Sequence, residues 1–228
     1  MPSFFTTNNI ATFLIFLLKF DNYKKCYIVD VIFINCMAGF LAKIISTFFY
    51  SGLIKPASGT FGTLFSLIFY YLFAINTLSI LAQIIIIIVV FVISLFCIKN
   101  YSKSIGVDDP KEIVIDEFLG IFVSLIFSKI ILGFVNANEI FSKPIILLQL
   151  NSLYAYFTAI DGNDAIKFVL TFTGLNFAFF RLFDITKPYP CSFFDKKVKN
   201  SFGVIMDDIV AGIYSACLTA ACMLLIFA

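Results

Sequence analysis

Two pairs of neighbouring acids, Asp116–Glu117 and Asp207–Asp208, each stand near the head of a long apolar run. Between the pairs come Arg181, Asp184 and Lys187, the first two spaced three apart. Clustered carboxylates suit hard divalent cations, which take oxygen ligands, and Arg and Lys suit phosphate, Arg through a bidentate fork. A further segment, "SGTFGTL" (58–64), leads from a Gly-containing turn straight into an apolar helix, where free backbone N–H groups favour anions. Taken singly, each residue has a plainer reading. Acids in a first helical turn and cations in a last one complement the helix dipole and sit near lipid headgroups. Gly and Ser are also ordinary turn residues. The plainer reading does not account for two acid pairs together with an Arg and a Lys at a helix end. The set points to phosphate chemistry assisted by a divalent cation.

Other phosphate chemistries can be tested in the sequence. The chain has no histidine, which removes histidine nucleophiles, histidine bases and most zinc sites. A cysteine phosphatase needs Cys-x5-Arg, and six residues after Cys191 comes Lys197. "DGND" at 161–164 has no Asp-x-Asp nucleophile before it and reads as a polar turn between apolar segments. The six cysteines show no CxxC spacing and are expected to be small buried hydrophobes in a reducing setting. A net charge of +2 gives no basic surplus to draw acidic partners, and no nucleic-acid partner is expected.

The elements that must carry these residues are membrane helices. The 228 residues are 61% hydrophobic and 13% charged, with a mean hydropathy of +1.02. Ordinary soluble domains are about half apolar and about a quarter charged. From Phe61 to Ile98 there is no charged residue. The expected class is an all-α polytopic membrane bundle of about five or six helices. That uncharged stretch predicts two spans, at 61–76 and 77–98, breaking near Asn76. A third span at 113–135 carries Asp116 and Glu117; its Lys129, roughly 18 Å further along the axis, is expected to snorkel to the opposite interface. Further helices are expected at 165–183 and 204–227, and 144–160, with Gln149 and Asn151, is expected not to span. The apolar N-terminal stretch lacks a basic flank and an A-x-A site, so no cleaved signal is expected. Lys99, Lys103 and Lys111 lie in one short loop, and Lys187, Lys196, Lys197 and Lys199 in another. The positive-inside rule puts both loops in the cytoplasm, so an even number of crossings separates them.

Four segments, "SGLIKPASGTFGTL" (51–64), "IVIDEFLG" (113–120), "FRLFDITKPYP" (180–190) and "GVIMDDIVAG" (203–212), resemble the motif blocks of bacterial phosphatidylglycerophosphatase A, in that family's order. The resemblance runs from about residue 38 to 228. It implies a magnesium-dependent phosphatase of the bacterial inner membrane, its active site facing the cytoplasm, which takes phosphatidylglycerophosphate to phosphatidylglycerol. Carried onto this chain, it implies Mg2+ ligands from Asp116, Glu117, Asp207 and Asp208. It implies phosphate donors from Gly59, Thr60, Gly62, Arg181 and Lys187, and catalytic roles for Asp116, Glu117, Asp184 and Asp208. Asp184 is the candidate to orient Arg181 or to complete the metal site. The chain departs from the pattern at Ser58, Ile115 and Tyr189, and about 136–163 looks like an insertion. Residues 1–36 are expected to be a dispensable extension ahead of a domain at 37–228. The competing readings are a small transporter or channel, which predicts acids spread through the bilayer depth, and a scaffold, which leaves the charged set without a purpose.

Overall fold

The computed structural model describes residues 39–73, 75, 78–107, 110–136 and 162–227, and among these the chain is helical with no strand. A 3-10 turn at Ser51–Leu53 precedes α1 (Ser58–Leu72). Then come α2 (Ile80–Ile105), α3 (Ile115–Asn136), α4 (Gly162–Thr186), the short α5 (Cys191–Lys197) and α6 (Ser201–Phe227). Four of them, α2, α3, α4 and α6, are long and apolar enough to cross a membrane, which is the expected all-α membrane bundle.

The run "ILAQIIIIIVVFVI" opening α2 is rich in β-branched residues that would favour a strand in water. In a bilayer only a helix satisfies every backbone group within one segment, and that requirement wins. Ser79 caps its start, its side chain accepting from the Ala82 N–H at 3.3 Å, and Gly106 ends it in the left-handed region at φ 76°. Ile85, Ile88, Val92 and Phe96 along α2 remain exposed, which is the surface a lipid-facing helix presents.

α3 is the opposite case. Leu119, Ile121, Phe122, Leu125 and Ile126 are all fully buried, so other helices cover the first half of α3 on every side, while Phe127 and Phe134 further along are exposed. Its most extensive partner is α6. The two cross at Gly120 and Gly212: a methyl on Gly212 would run into the Gly120 carbonyl, and one on Gly120 would lie 2.8 Å from the Asp208 carbonyl. Small residues let membrane helices approach at backbone distance. Below this crossing, buried Ser124 and Ser128 donate to Asn176 Oδ1 at 2.6 and 2.9 Å, and Ser215 donates to the Asn176 carbonyl at 3.1 Å. That network ties α3, α4 and α6 together where no water could satisfy the same groups.

Several expectations need correcting. The first expected span is a 15-residue helix, roughly 22 Å long and short of the ~20 residues a crossing needs. Lys129 does not snorkel. It is buried, its Nζ donating to Tyr70 Oη at 2.5 Å, and Tyr70 Oη donates to Gln83 Oε1 at 2.9 Å. Lys129 lies on the buried side of α3 with Ser128 and Leu132, and the Tyr70 hydroxyl of α1 is within hydrogen-bond reach there. Of "DGND", residues 162–164 open α4 rather than forming a turn, and Asp161 lies outside the described residues. α6 starts at Ser201 rather than near 204, which moves Asp207 and Asp208 into its second turn. Cys191 is buried as expected, whereas Cys217 is exposed. The expectations for 1–36 and 144–160 lie outside the described residues.

Candidate active site

The loop that feeds α3 is tied down before the acids begin. The Val114 N–H donates to the Ser46 carbonyl at 3.0 Å, and Ser58 Oγ to the Lys111 carbonyl at 2.9 Å. Tyr101 Oη donates to Glu112 Oε2 at 2.6 Å. The starts of α1 and α3 and the end of α2 are thereby locked at one end of the bundle. α6 starts and α4 finishes there too, since Asp184, Lys187, Asp207 and Asp208 line the same cleft as Asp116.

Asp116 precedes Gly120 by four residues, and Asp208 precedes Gly212 by four. Four residues apart is one face of a helix, so each acid sits one turn above the glycine at the crossing. The close approach of the glycines therefore brings the acids together. Carboxylate oxygens of Asp116, Glu117 and Asp208 all lie within 4.8 Å of one another. Asp208 is buried, at 4% exposure, and Glu117 Oε2 is buried without a hydrogen-bond partner. Crowded buried carboxylates are costly unless a cation compensates them, and an oxygen-only donor set suits a hard divalent one. The residues present fit such an ion.

α1 closes one side. A methyl on Gly59 would meet Glu117 Oε1 at 2.5 Å and the Arg181 guanidinium nitrogens at 3.0 and 3.1 Å. The first turn of α1, whose leading N–H groups have no partner within the helix, thus rests against both the acid and the base. Arg181 Nη1 pairs with Asp184 Oδ2 at 2.5 Å, and Arg181 Nε is buried with no partner. Lys187 follows α4 in the left-handed conformation, φ 43°, and Pro188 then carries the chain away. Its Nζ donates to Asp195 Oδ1 and to Asp207 Oδ2, both at 2.6 Å. Burial by itself pulls the Lys187 ammonium down, but the hydrogen bonds and charges of Asp195 and Asp207 outweigh it and hold its pKa above the ordinary lysine value. The cleft that Asp116, Glu117, Asp184, Lys187, Asp195, Asp207 and Asp208 line, with Lys111 and Lys199 among its other residues, is about 170 Å3. That space is ample for several waters, or for a phosphate group with an ion.

Of the residues singled out in the sequence, the structure brings Asp116, Glu117 and Asp208 together and sets Gly59 beside Glu117 and Arg181. Asp184 turns to Arg181. Asp207 turns instead to Lys187 and stands outside the three-carboxylate group. Thr60 is exposed on the first turn of α1, whereas Gly62 is buried against the Val114 side chain, a packing contact between α1 and the entry of α3. Asp195 escapes a reading of the sequence. It stands in a lysine-rich stretch that looks like a plain cytoplasmic loop, and only the fold of α5 turns it onto Lys187.

Known proteins align with this arrangement. The family model described as "Phosphatidylglycerophosphatase A" matches residues 44–223. The phosphatidylglycerophosphatase A of Haemophilus influenzae is 30% identical over 167 residues, covering 73% of this chain and 79% of that protein. That of Escherichia coli is 27% identical over 168 residues, covering 74% and 75%. A Bacteroides thetaiotaomicron protein, provisionally named phosphatidylinositol-3-phosphatase, is 27% identical over 183 residues, covering 79% and 92%. No solved structure matches the chain at a significant level. A match that spans most of the chain and contains all four charged or glycine-bearing segments singled out in the sequence makes this protein a member of the phosphatidylglycerophosphatase A family.

Proposed function

We propose that this protein hydrolyses the terminal phosphate monoester of phosphatidylglycerophosphate, releasing phosphatidylglycerol and inorganic phosphate, within phospholipid synthesis at the bacterial inner membrane. The observation that carries the reading is the meeting of Asp116, Glu117 and Asp208 with Gly59 and Arg181 at one end of a membrane bundle. The bond broken joins phosphorus to the terminal glycerol oxygen; water supplies the incoming oxygen, and its proton ends on the released hydroxyl.

Asp116, Glu117 and Asp208 would hold Mg2+, which when bound polarises the phosphoryl group and makes water a better nucleophile. Arg181, kept in orientation by Asp184, presents its fork to the equatorial phosphate oxygens, and the first-turn N–H groups at Gly59 and Thr60 add donors. Gly62 serves the approach of α1 to α3 rather than the phosphate. Lys187 neutralises phosphate charge from the other side, with Asp207 and Asp195 positioning it. In this assignment Asp207 is a positioning residue and the ligand set is the three-carboxylate group.

The lysines gathered at this end, Lys99 and Lys103 in the last turns of α2, Lys111 before α3, Lys196 and Lys197 on α5 and Lys199 before α6, support a cytoplasmic site. Acids gathered at one end, rather than spread through the bilayer depth, weigh against an ion path.

The test is phosphate release by the purified protein from phosphatidylglycerophosphate, with phosphatidic acid and phosphatidylinositol 3-phosphate alongside, with Mg2+ and with chelator. Release from phosphatidylglycerophosphate should dominate and should vanish on chelation. Equal rates on all three lipids, or activity indifferent to chelator, would overturn the assignment.

A further inference from the structure

A second concavity of about 620 Å3 opens between the end of α2 and the start of α6. Its volume is that of a small-molecule site. Its floor is apolar, with Leu95 and Phe96 on one side and Phe202 on the other, and Phe202 also packs edge-on against Phe91 at 6.2 Å. Three lysines form its rim: Lys99 and Lys103, four residues apart on one face of α2, and Lys199 just before α6. All three are exposed, and none pairs with an acid among the described residues; Asp108 and Asp109, the next acids in sequence, lie outside them. The groove is thus cationic at the end of the spanning helices and apolar toward their middle. That is the pattern of an anionic phospholipid: a charged phosphate at the interface and acyl chains below it.

The groove also adjoins the cleft, because Lys199 and Asn200 line both. We infer that this groove seats the phosphodiester and acyl chains of an anionic glycerophospholipid, the lipid whose terminal monoester reaches the carboxylate cleft. A substrate with two phosphates one glycerol apart needs two such neighbouring sites, and a lipid with a monoester alone uses only one. Occupancy of the groove stands on its own lysines and apolar floor. Only the identity of its occupant as substrate rests on the proposed phosphatase reading.

The protein has no tryptophan, so a single reporter can be introduced at Phe96, 66% exposed in the groove, as Phe96→Trp. This full-length variant is reconstituted into phosphatidylcholine vesicles with a minor fraction of lipid brominated on its acyl chains, either phosphatidylglycerol or phosphatidylcholine. Brominated phosphatidylglycerol should quench the fluorescence of the introduced tryptophan preferentially. Adding Lys99→Gln and Lys103→Gln should reduce that preference by about fivefold per lysine, and Lys99→Arg with Lys103→Arg should retain it. Equal quenching by the two lipids, or a preference that survives both glutamines, would overturn the inference. The wild-type protein, reconstituted in the same vesicles, is assayed on phosphatidylglycerophosphate. Preferential quenching without turnover sinks the phosphatase reading and leaves the groove. Turnover without preferential quenching does the reverse.

Discussion

Asp208 is buried beside two other acids, and its isosteric amide is the sharpest test of what that cluster is for. Without metal the three carboxylates repel one another, so Asp208→Asn should melt higher than the parent in chelator. The parent should gain thermal stability on adding Mg2+, and the variant should lose most of that gain along with about a hundredfold or more in turnover. A parent unmoved by Mg2+ in thermal melts would remove the case for a cation there. Arg181 should tolerate even lysine poorly, because a point charge cannot reproduce the fork that faces Gly59 and forms an ion pair with Asp184. We expect Arg181→Lys to lower kcat/KM by about tenfold or more, measured on the lipid substrate. Lys187 carries a pH signature. Its folded pKa is raised above the ordinary 10.5, so the stabilisation its charge contributes is fully present below 10.5 and is lost as pH climbs through the raised value. The melting-temperature gap between wild type and Lys187→Met should therefore persist up to about pH 10 and close above it. A gap that closes between about pH 7 and 9 would mean Lys187 is not held by those two acids.

At the scale of elements, the site depends on how near α3 and α6 can come. Gly120 and Gly212 meet with no room for a methyl on either, one turn below Asp116 and Asp208. Gly212→Ala, whose methyl would run into the Gly120 carbonyl oxygen, must push the helices apart by the better part of an ångström, at a cost of about 1–3 kcal/mol in packing. The same displacement separates the acids. Gly212→Ala should therefore lose activity by about tenfold or more and need a higher Mg2+ concentration for half-maximal rate, although it touches no substrate. A variant that lost stability but kept the parent's Mg2+ dependence would show that the crossing supports the bundle without setting the acid spacing. The buried Ser124, Ser128, Asn176 and Ser215 network fixes the rotation of the same helices. α1 and α5, too short to span, press onto this core from the sides and deliver Gly59 and Asp195.

At the scale of the molecule, the family match begins at residue 44, and all four segments of the site lie beyond it. We propose that residues 1–36 contribute nothing to the cleft. A chain beginning at Met37 should insert in the membrane and keep within about twofold of full-length activity, measured at equal membrane content. A folded but inactive product would assign the leading segment a part in the site.

The amino-acid sequence determined the class of this protein and which side chains are candidates for its chemistry. An uncharged stretch of this length has no stable home but a bilayer helix, and two acid pairs at the heads of such stretches, with an Arg and a Lys at a helix end, ask for more than the dipole explanation that serves each alone. Those statements need only composition and spacing along one chain. The sequence could not apportion partners among the charged groups, because that depends on which helix faces meet. Asp207 and Asp208 are neighbours, yet about 100° of helical rotation sends one to Lys187 and the other to Asp116 and Glu117. Lys129 reads as a snorkelling lysine until its side of α3 proves to be buried. Asp195 reads as loop charge until α5 turns it inward. Each of these outcomes was decided by packing between elements far apart in sequence, above all the glycine crossing of α3 and α6 that makes the three carboxylates a single site.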